Sequence, residues 1–185
     1  MKKLLTVLLL LALLLPAAAL ADQTVDLGFA VMHLDDSAYV QPGDEGSGVL
    51  ALIIPDPSAD TSFYDNINVV WTDARISDLN VSAEEFAQEV IRVAIEGMAA
   101  QGAIATNEQL LGAELDADEE MLVLYYTLDV DYTNMGIDLQ TTLHFAQLAM
   151  SFEGDGMYTF TCTATSAEGV DALMNYILDA MEFAE

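Results

Sequence analysis

The sequence predicts an α+β domain in which two helices cover a mainly antiparallel sheet. Three observations carry that expectation. Four stretches with strand-like alternation follow one another between residues 109 and 165, separated only by short turn signals. Two longer stretches, 83–100 and one from Ser166 or Ala167 to about Phe183, carry apolar residues at helical spacing. The resulting order is strands, a helix, a meander of about four strands and a closing helix, so the helices have one sheet to cover.

Each element follows from local chemistry. Val25, Leu27, Phe29 and Val31 alternate with less apolar neighbours and read as one strand. The segment 35–48, with Asp35-Asp36-Ser37 and Pro42-Gly43-Asp44-Glu45-Gly46-Ser47-Gly48, is turn-rich and reads as a loop. Val49–Ile54 is an apolar run stopped by Pro55 and Pro57, and Ile67–Trp71 is short and β-branched; both read as strands. Ser82 and Glu85 have the spacing of a capping box. Glu84 and Glu85 sit where the helix dipole favours anions, and Gly102 can close the far end. Phe86, Val90, Ala94 and Met98, widened by Ile91 and Ile95, give that helix a core-facing stripe.

The meander then reads as Gln109–Leu115, Met121–Val130, Ile137–Gln147 and Met157–Thr165, with turns at 116–120, 133–136 and 153–156. In the last strand Tyr158, Phe160, Cys162 and Ala164 alternate with four threonines, as a half-buried strand requires. Val170, Leu173, Ile177 and Met181 form the stripe of the closing helix, with Met174 and Leu178 beside it.

Met1–Ala21 has the form of a cleavable secretory signal. Lys2 and Lys3 are the positive start, Leu4–Leu15 the apolar run, and Ala19-Leu20-Ala21 the small-residue cleavage site. Cleavage after Ala21 predicts a secreted, extracytoplasmic product, and no later segment is long and apolar enough to span a bilayer. No cysteine follows the site, so a lipid anchor is not indicated.

The 185 residues contain 31 acids against four cations, a net charge of −27. Both lysines lie in the leader, so the processed chain retains only Arg75 and Arg92 against 31 acids, a charge of −29. Such a surface cannot neutralise phosphates, which excludes nucleic acid and anionic membranes as partners and favours a protein or ligand with a cationic surface. Schiff-base chemistry and lysine-dependent phosphate loops are excluded with the lysines. At 54% hydrophobic residues the chain is nonetheless far too apolar for an acidic disordered tail.

Candidate chemistry is sparse. One cysteine and two histidines are too few for an ordinary four-ligand zinc site. Cys162 falls on an apolar strand face and is expected to be buried and inert. His144 lies on the side of its strand opposite Leu143 and Phe145, facing solvent or a partly covered layer, and no G-x-S-x-G accompanies either histidine. The strongest metal candidates are hard oxygen ligands suited to calcium: Asp116, Asp118, Glu119 and Glu120 in one turn, with Asp129 and Asp131 at a neighbouring one. Neither turn has the glycine of an EF-hand loop, and an acidic hairpin turn is more often solvated surface. Tyr126 belongs to the core-facing set of its strand, and Tyr132 at the turn is the expected exposed aromatic contact.

Particular phrases carry a family likeness. They are Asn66-Ile67-Asn68-Val69-Val70 ahead of the helix at Ser82, then Leu110-Leu111-Gly112-Ala113-Glu114-Leu115, then Leu122–Val130. They continue with Tyr158-Thr159-Phe160-Thr161-Cys162-Thr163-Ala164 and the closing helix ending at Met181-Glu182-Phe183. In these the chain resembles the extracytoplasmic PsbP-like or Mog1-like superfamily over residues 48–185, with 22–47 a strand and loop lacking a clear counterpart. The resemblance implies an α/β/α sandwich, a mainly antiparallel sheet between two helices. It also implies a non-enzymatic accessory or binding module and transfers no binding residue. Two alternatives remain at the level of sequence: an acidic protein that responds to divalent cations or is adapted to salt, and, ranked last, a carboxylate-based hydrolase.

Overall fold

The computed structural model describes residues 23–183 except 45, 59–60 and 153–155; the leader and most of the turn expected at 153–156 lie outside them. Among the described residues, ten strands and two α-helices occur in the order β1 (Gln23–Asp26), β2 (Ala30–Leu34), β3 (Tyr39–Pro42), β4 (Val49–Ile54), β5 (Asn66–Thr72), α1 (Ala83–Gln101), β6 (Ile104–Asp116), β7 (Met121–Asp131), β8 (Gln140–Phe152), β9 (Gly156–Ala164), α2 (Ala167–Ala180) and β10 (Met181–Phe183). Seven strands form one sheet in the order β3-β4-β5-β9-β8-β7-β6. Every neighbouring pair in it is antiparallel.

Strand alternation divides the core in two. On one face Ile67, Val69, Leu148, Phe160, Cys162 and Ala164 pack with Val170, Leu173 and Ile177 of α2. On the other, Leu124, Tyr126, Leu128, Leu143 and Phe145 pack with Val90, Ile91, Ala94 and Met98 of α1. Tyr126 and Phe145 stack with ring centroids 4.6 Å apart. The fold is therefore an α+β sandwich, the sheet lying between helices as its pattern requires.

Helix α1 begins as its capping box dictates. Ser82 Oγ accepts from Glu85 N at 3.2 Å, and Glu85 Oε2 accepts from Ser82 N at 2.9 Å, a cap worth about 1 kcal/mol. It ends where Gly102 turns left-handed at φ 99°, a conformation that costs glycine nothing.

Five expectations are corrected. The first meander strand, expected over Gln109–Leu115, runs from Ile104 to Asp116. The single strand over Val25–Val31 is a hairpin, because Asp26 Oδ1 accepts from Gly28 N at 2.8 Å and Gly28 turns at φ 83°. The loop over 35–48 contains β3, which pairs with β4 along the sheet edge. The closing helix stops at Ala180, since Met181 is extended and Met181–Phe183 pairs with β2 to complete a three-stranded sheet, β1-β2-β10. The third meander strand runs from Gln140 to Phe152, starting later and ending later than 137–147. The three-stranded sheet joins α2 in covering one face, through Val25, Leu27, Met32 and Leu34.

Candidate functional site

The two faces of the large sheet are covered unequally. Helix α2 and the small sheet close one of them. On the other, α1 packs chiefly over β6 and β7, and the β4-β5-β9-β8 part of that face becomes the floor of a groove of about 1540 Å³. One wall is α1 itself, through Phe86, Val90 and Val93; Phe63, Leu79 and Ile137 extend the apolar lining from the loops.

The floor is polar because the strand phase facing α1 is polar. Asn66 and Asn68 alternate with Ile67 and Val69 on β5, and Thr159, Thr161 and Thr163 with Phe160 and Cys162 on β9. Gln147 of β8 completes the set. The antiparallel register aligns three of these side chains into a row across the sheet. Leu52 pairs with Asn68, Asn68 with Thr161, Thr161 with Gln147, and Gln147 with Leu124. Asn68, Thr161 and Gln147 are only 7%, 6% and 5% exposed, and Thr161 Oγ1 is buried with no hydrogen-bond partner.

Charge is confined to the groove's margin, where five carboxylates, Asp73, Asp78, Glu85, Glu89 and Glu96, face one guanidinium, Arg92. Arg92 is committed within the helix to Glu89, by Nε at 2.8 Å, and to Glu96, which raise its pKa further.

A polar latch holds the segment that precedes α1. Glu120 accepts from Ser151 Oγ and from the Arg75 guanidinium, and from Ser77 N at 3.2 Å. Ser151 Oγ accepts in turn from Ile76 N at 3.0 Å. The Ser151 hydroxyl first, then Ser77 and Arg75, pull the Glu120 carboxyl down to about 2.

The acids singled out from the sequence do not converge. Asp116, Asp118, Glu119 and Glu120 lie at the β6–β7 turn, whereas Asp129 and Asp131 lie at the far end of the eleven-residue β7, about 30 Å away at strand rise. Asp116 Oδ1 accepts from the amides of Asp118 and Glu119 at 3.1 and 3.0 Å, shaping the turn. Glu120 is turned inward to its latch. Asp129 accepts from Thr142 Oγ1 at 2.6 Å and Asn107 Nδ2 at 2.8 Å, Asp131 from Thr133 and from Gln140 Nε2 at 2.9 Å, and these bonds lower both carboxyl pKa values. Among the described residues no three of His, Cys, Asp and Glu form a group able to hold a metal ion.

Cys162 is fully buried, and burial pushes its thiol pKa up, away from reactivity. His144 is half-buried, pairing with Thr127 and Ala164 in the ladder. Tyr132, expected as an exposed contact, is instead partly buried against the α1-side core and lines the groove; desolvation raises its phenol to about 12. The floor residues were missed as a site. Their signal was present in the polar phase of Asn66, Asn68, Thr159, Thr161 and Thr163, which an evenly sealed sandwich has no reason to carry.

The chain has a Mog1-like α+β fold, here with one sheet face half covered. The structure is similar to that of the Ran-binding protein Mog1p of Saccharomyces cerevisiae, with a TM-score of 0.54 and 9% sequence identity. The match covers 89% of this chain and 96% of that one. At that identity the likeness is one of fold. No protein-family model and no curated protein sequence matches the chain.

Proposed function

We propose that this protein is an exported, non-enzymatic binding module whose binding surface is the groove between α1 and the β4-β5-β9-β8 floor. The half-covered sheet face carries this reading. A fold that spends one helix on only part of a seven-stranded face leaves an apolar cleft with a few convergent polar groups, which is the ordinary form of a ligand site. Mog1p, which shares the fold, is a Ran-binding protein. The reading extends to this chain the use of the fold for binding and leaves Ran aside. Export follows from the leader at residues 1–21, and the acidic margin favours a partner that is not anionic.

A neutral apolar fluorophore, Nile red, tests the groove directly. Titrated into the purified protein it should bind with a blue-shifted emission. Val93→Trp, which places an indole on the α1 wall, should remove most of that signal while leaving the circular dichroism spectrum intact. Both proteins carry the same termini, so dye on any other segment cancels. A Val93→Trp protein that binds dye as well as the parent refutes the groove as the binding surface.

A further inference from the structure

We infer that the groove's ligand is an uncharged amphiphile, with its apolar chain along the α1 wall and a hydroxyl- or amide-bearing group seated on the Asn68–Thr161–Gln147 row. The inference rests on the groove being the binding surface and adds the chemical class of what binds.

The row sets the chemistry of the ligand's polar group. It runs across the middle of the floor between two leucines, Leu52 and Leu124, and consists of an amide, a hydroxyl and an amide. None of the three ionises, and all are more than nine-tenths buried. A charged group at that depth would need a counter-charge that the row does not contain, and its desolvation would exceed what neutral dipoles return. A neutral hydroxyl or amide meets no such penalty.

Thr161 is the independent pointer to a ligand. Its Oγ1 is buried and bonds to nothing in the protein, although a buried hydroxyl ordinarily finds a partner. It lines the groove, so a partner group can arrive only from there. A threonine hydroxyl donates once and accepts twice, which matches a ligand hydroxyl or amide in either sense.

Wall and margin select the remainder. Phe86, Val90 and Val93 offer an apolar surface along the helix, suited to an alkyl chain. The margin holds five carboxylates, and its one guanidinium is already paired, so carboxylate or phosphate headgroups are repelled on approach. A fatty acid or an anionic phospholipid satisfies the wall and fails both the margin and the row.

Displacement of groove-bound Nile red separates these cases. The probes are 1-monolauroylglycerol and laurate, which share a chain and differ in head charge, both kept below micelle-forming concentrations at neutral pH. Monolauroylglycerol should displace the dye at roughly tenfold lower concentration than laurate. Thr161→Val should weaken monolauroylglycerol by about three- to tenfold, the worth of one hydrogen bond, and leave laurate unmoved. Thr161→Ser, which keeps the hydroxyl, should restore the parental value and guards against a variant that merely misfolds. Laurate displacing as well as its neutral counterpart, or Thr161→Val displacing like the parent, overturns the inference. So does displacement by an amphipathic peptide but not by monolauroylglycerol. In each of those cases dye binding and its loss in Val93→Trp still stand. Failure of the dye to bind the parent sinks the groove reading itself.

Discussion

One sheet presents two faces built from alternate residues of the same strands, and they are finished differently. Toward α2 and the three-stranded sheet, β5 and β9 show Ile67, Val69, Phe160, Cys162 and Ala164, every one at 0% exposure. Toward α1 the same strands show Asn66, Asn68, Thr159, Thr161 and Thr163, under a helix packed mainly over the distant β6 and β7. The first face is held by apolar burial. The second retains hydrogen-bonding groups that apolar packing would have replaced had the face been sealed. On the proposed reading, the open part of the second face serves recognition, while the first face serves stability alone.

The largest effect expected from that division is on the sealed side. Phe160 is fully buried between β5, β8 and α2, so Phe160→Ala should cost about 3–5 kcal/mol in urea unfolding. Its sequence neighbour Thr159, on the groove side, should tolerate alanine at well under half that cost. Equal losses at the two positions would show that the groove floor is core in all but shape.

A sharper form of the contrast uses adjacent residues on one strand. Cys162→Thr places a hydroxyl among the fully buried apolar side chains of the first face and should destabilise by about 1–3 kcal/mol. Thr161→Val removes the hydroxyl that already lacks a partner and should be neutral or stabilising by about 1 kcal/mol. Melting temperatures of the two variants should therefore move in opposite directions, or one only. A matched fall in both would mean that the Thr161 hydroxyl is satisfied within the fold.

Local chemistry in the sequence was enough for the architecture and too little for the site. The capping box at Ser82 and Glu85 and the left-handed Gly102 specify α1 to within a residue of its expected end, because both signals are complete within a few residues. The closing helix overran because its apolar stripe continues to Met181, while what stops it is pairing with β2, Phe183 against Ala30, far away in the chain. The separation of the two acidic turns was hidden for a similar reason: consecutive along the chain, they lie at opposite ends of a long hairpin. The groove floor needed one further fact, that α1 lies over β6 and β7 and not over the centre of the sheet. Without it a run of threonines on one strand face reads as ordinary solvated surface.

The smallest effect concerns how the open side is fastened. Besides the packing of α1, a polar link anchors the segment ahead of that helix: Glu120, with a side chain only 15% exposed, holds Arg75 and Ser77 just before the groove-lining Asp78 and Leu79. The Glu120 carboxyl titrates at about 2 in the folded chain against an ordinary 4.5. A group with a depressed pKa binds fewer protons folded than unfolded, so its stabilisation is fully present above pH 4.5 and is lost as the pH falls from there towards 2. Glu120→Gln removes that dependence, and the melting temperatures of parent and variant, separate at pH 6, should converge across this window. Groove-bound dye should be released by acid in the same interval in the parent, ahead of global unfolding, since the latch and not the α2-side core is what titrates. A gap between parent and variant that stays constant from pH 6 to pH 2 would place the fastening of the open face in packing, and would make the two sides of the sheet more alike than their side chains suggest.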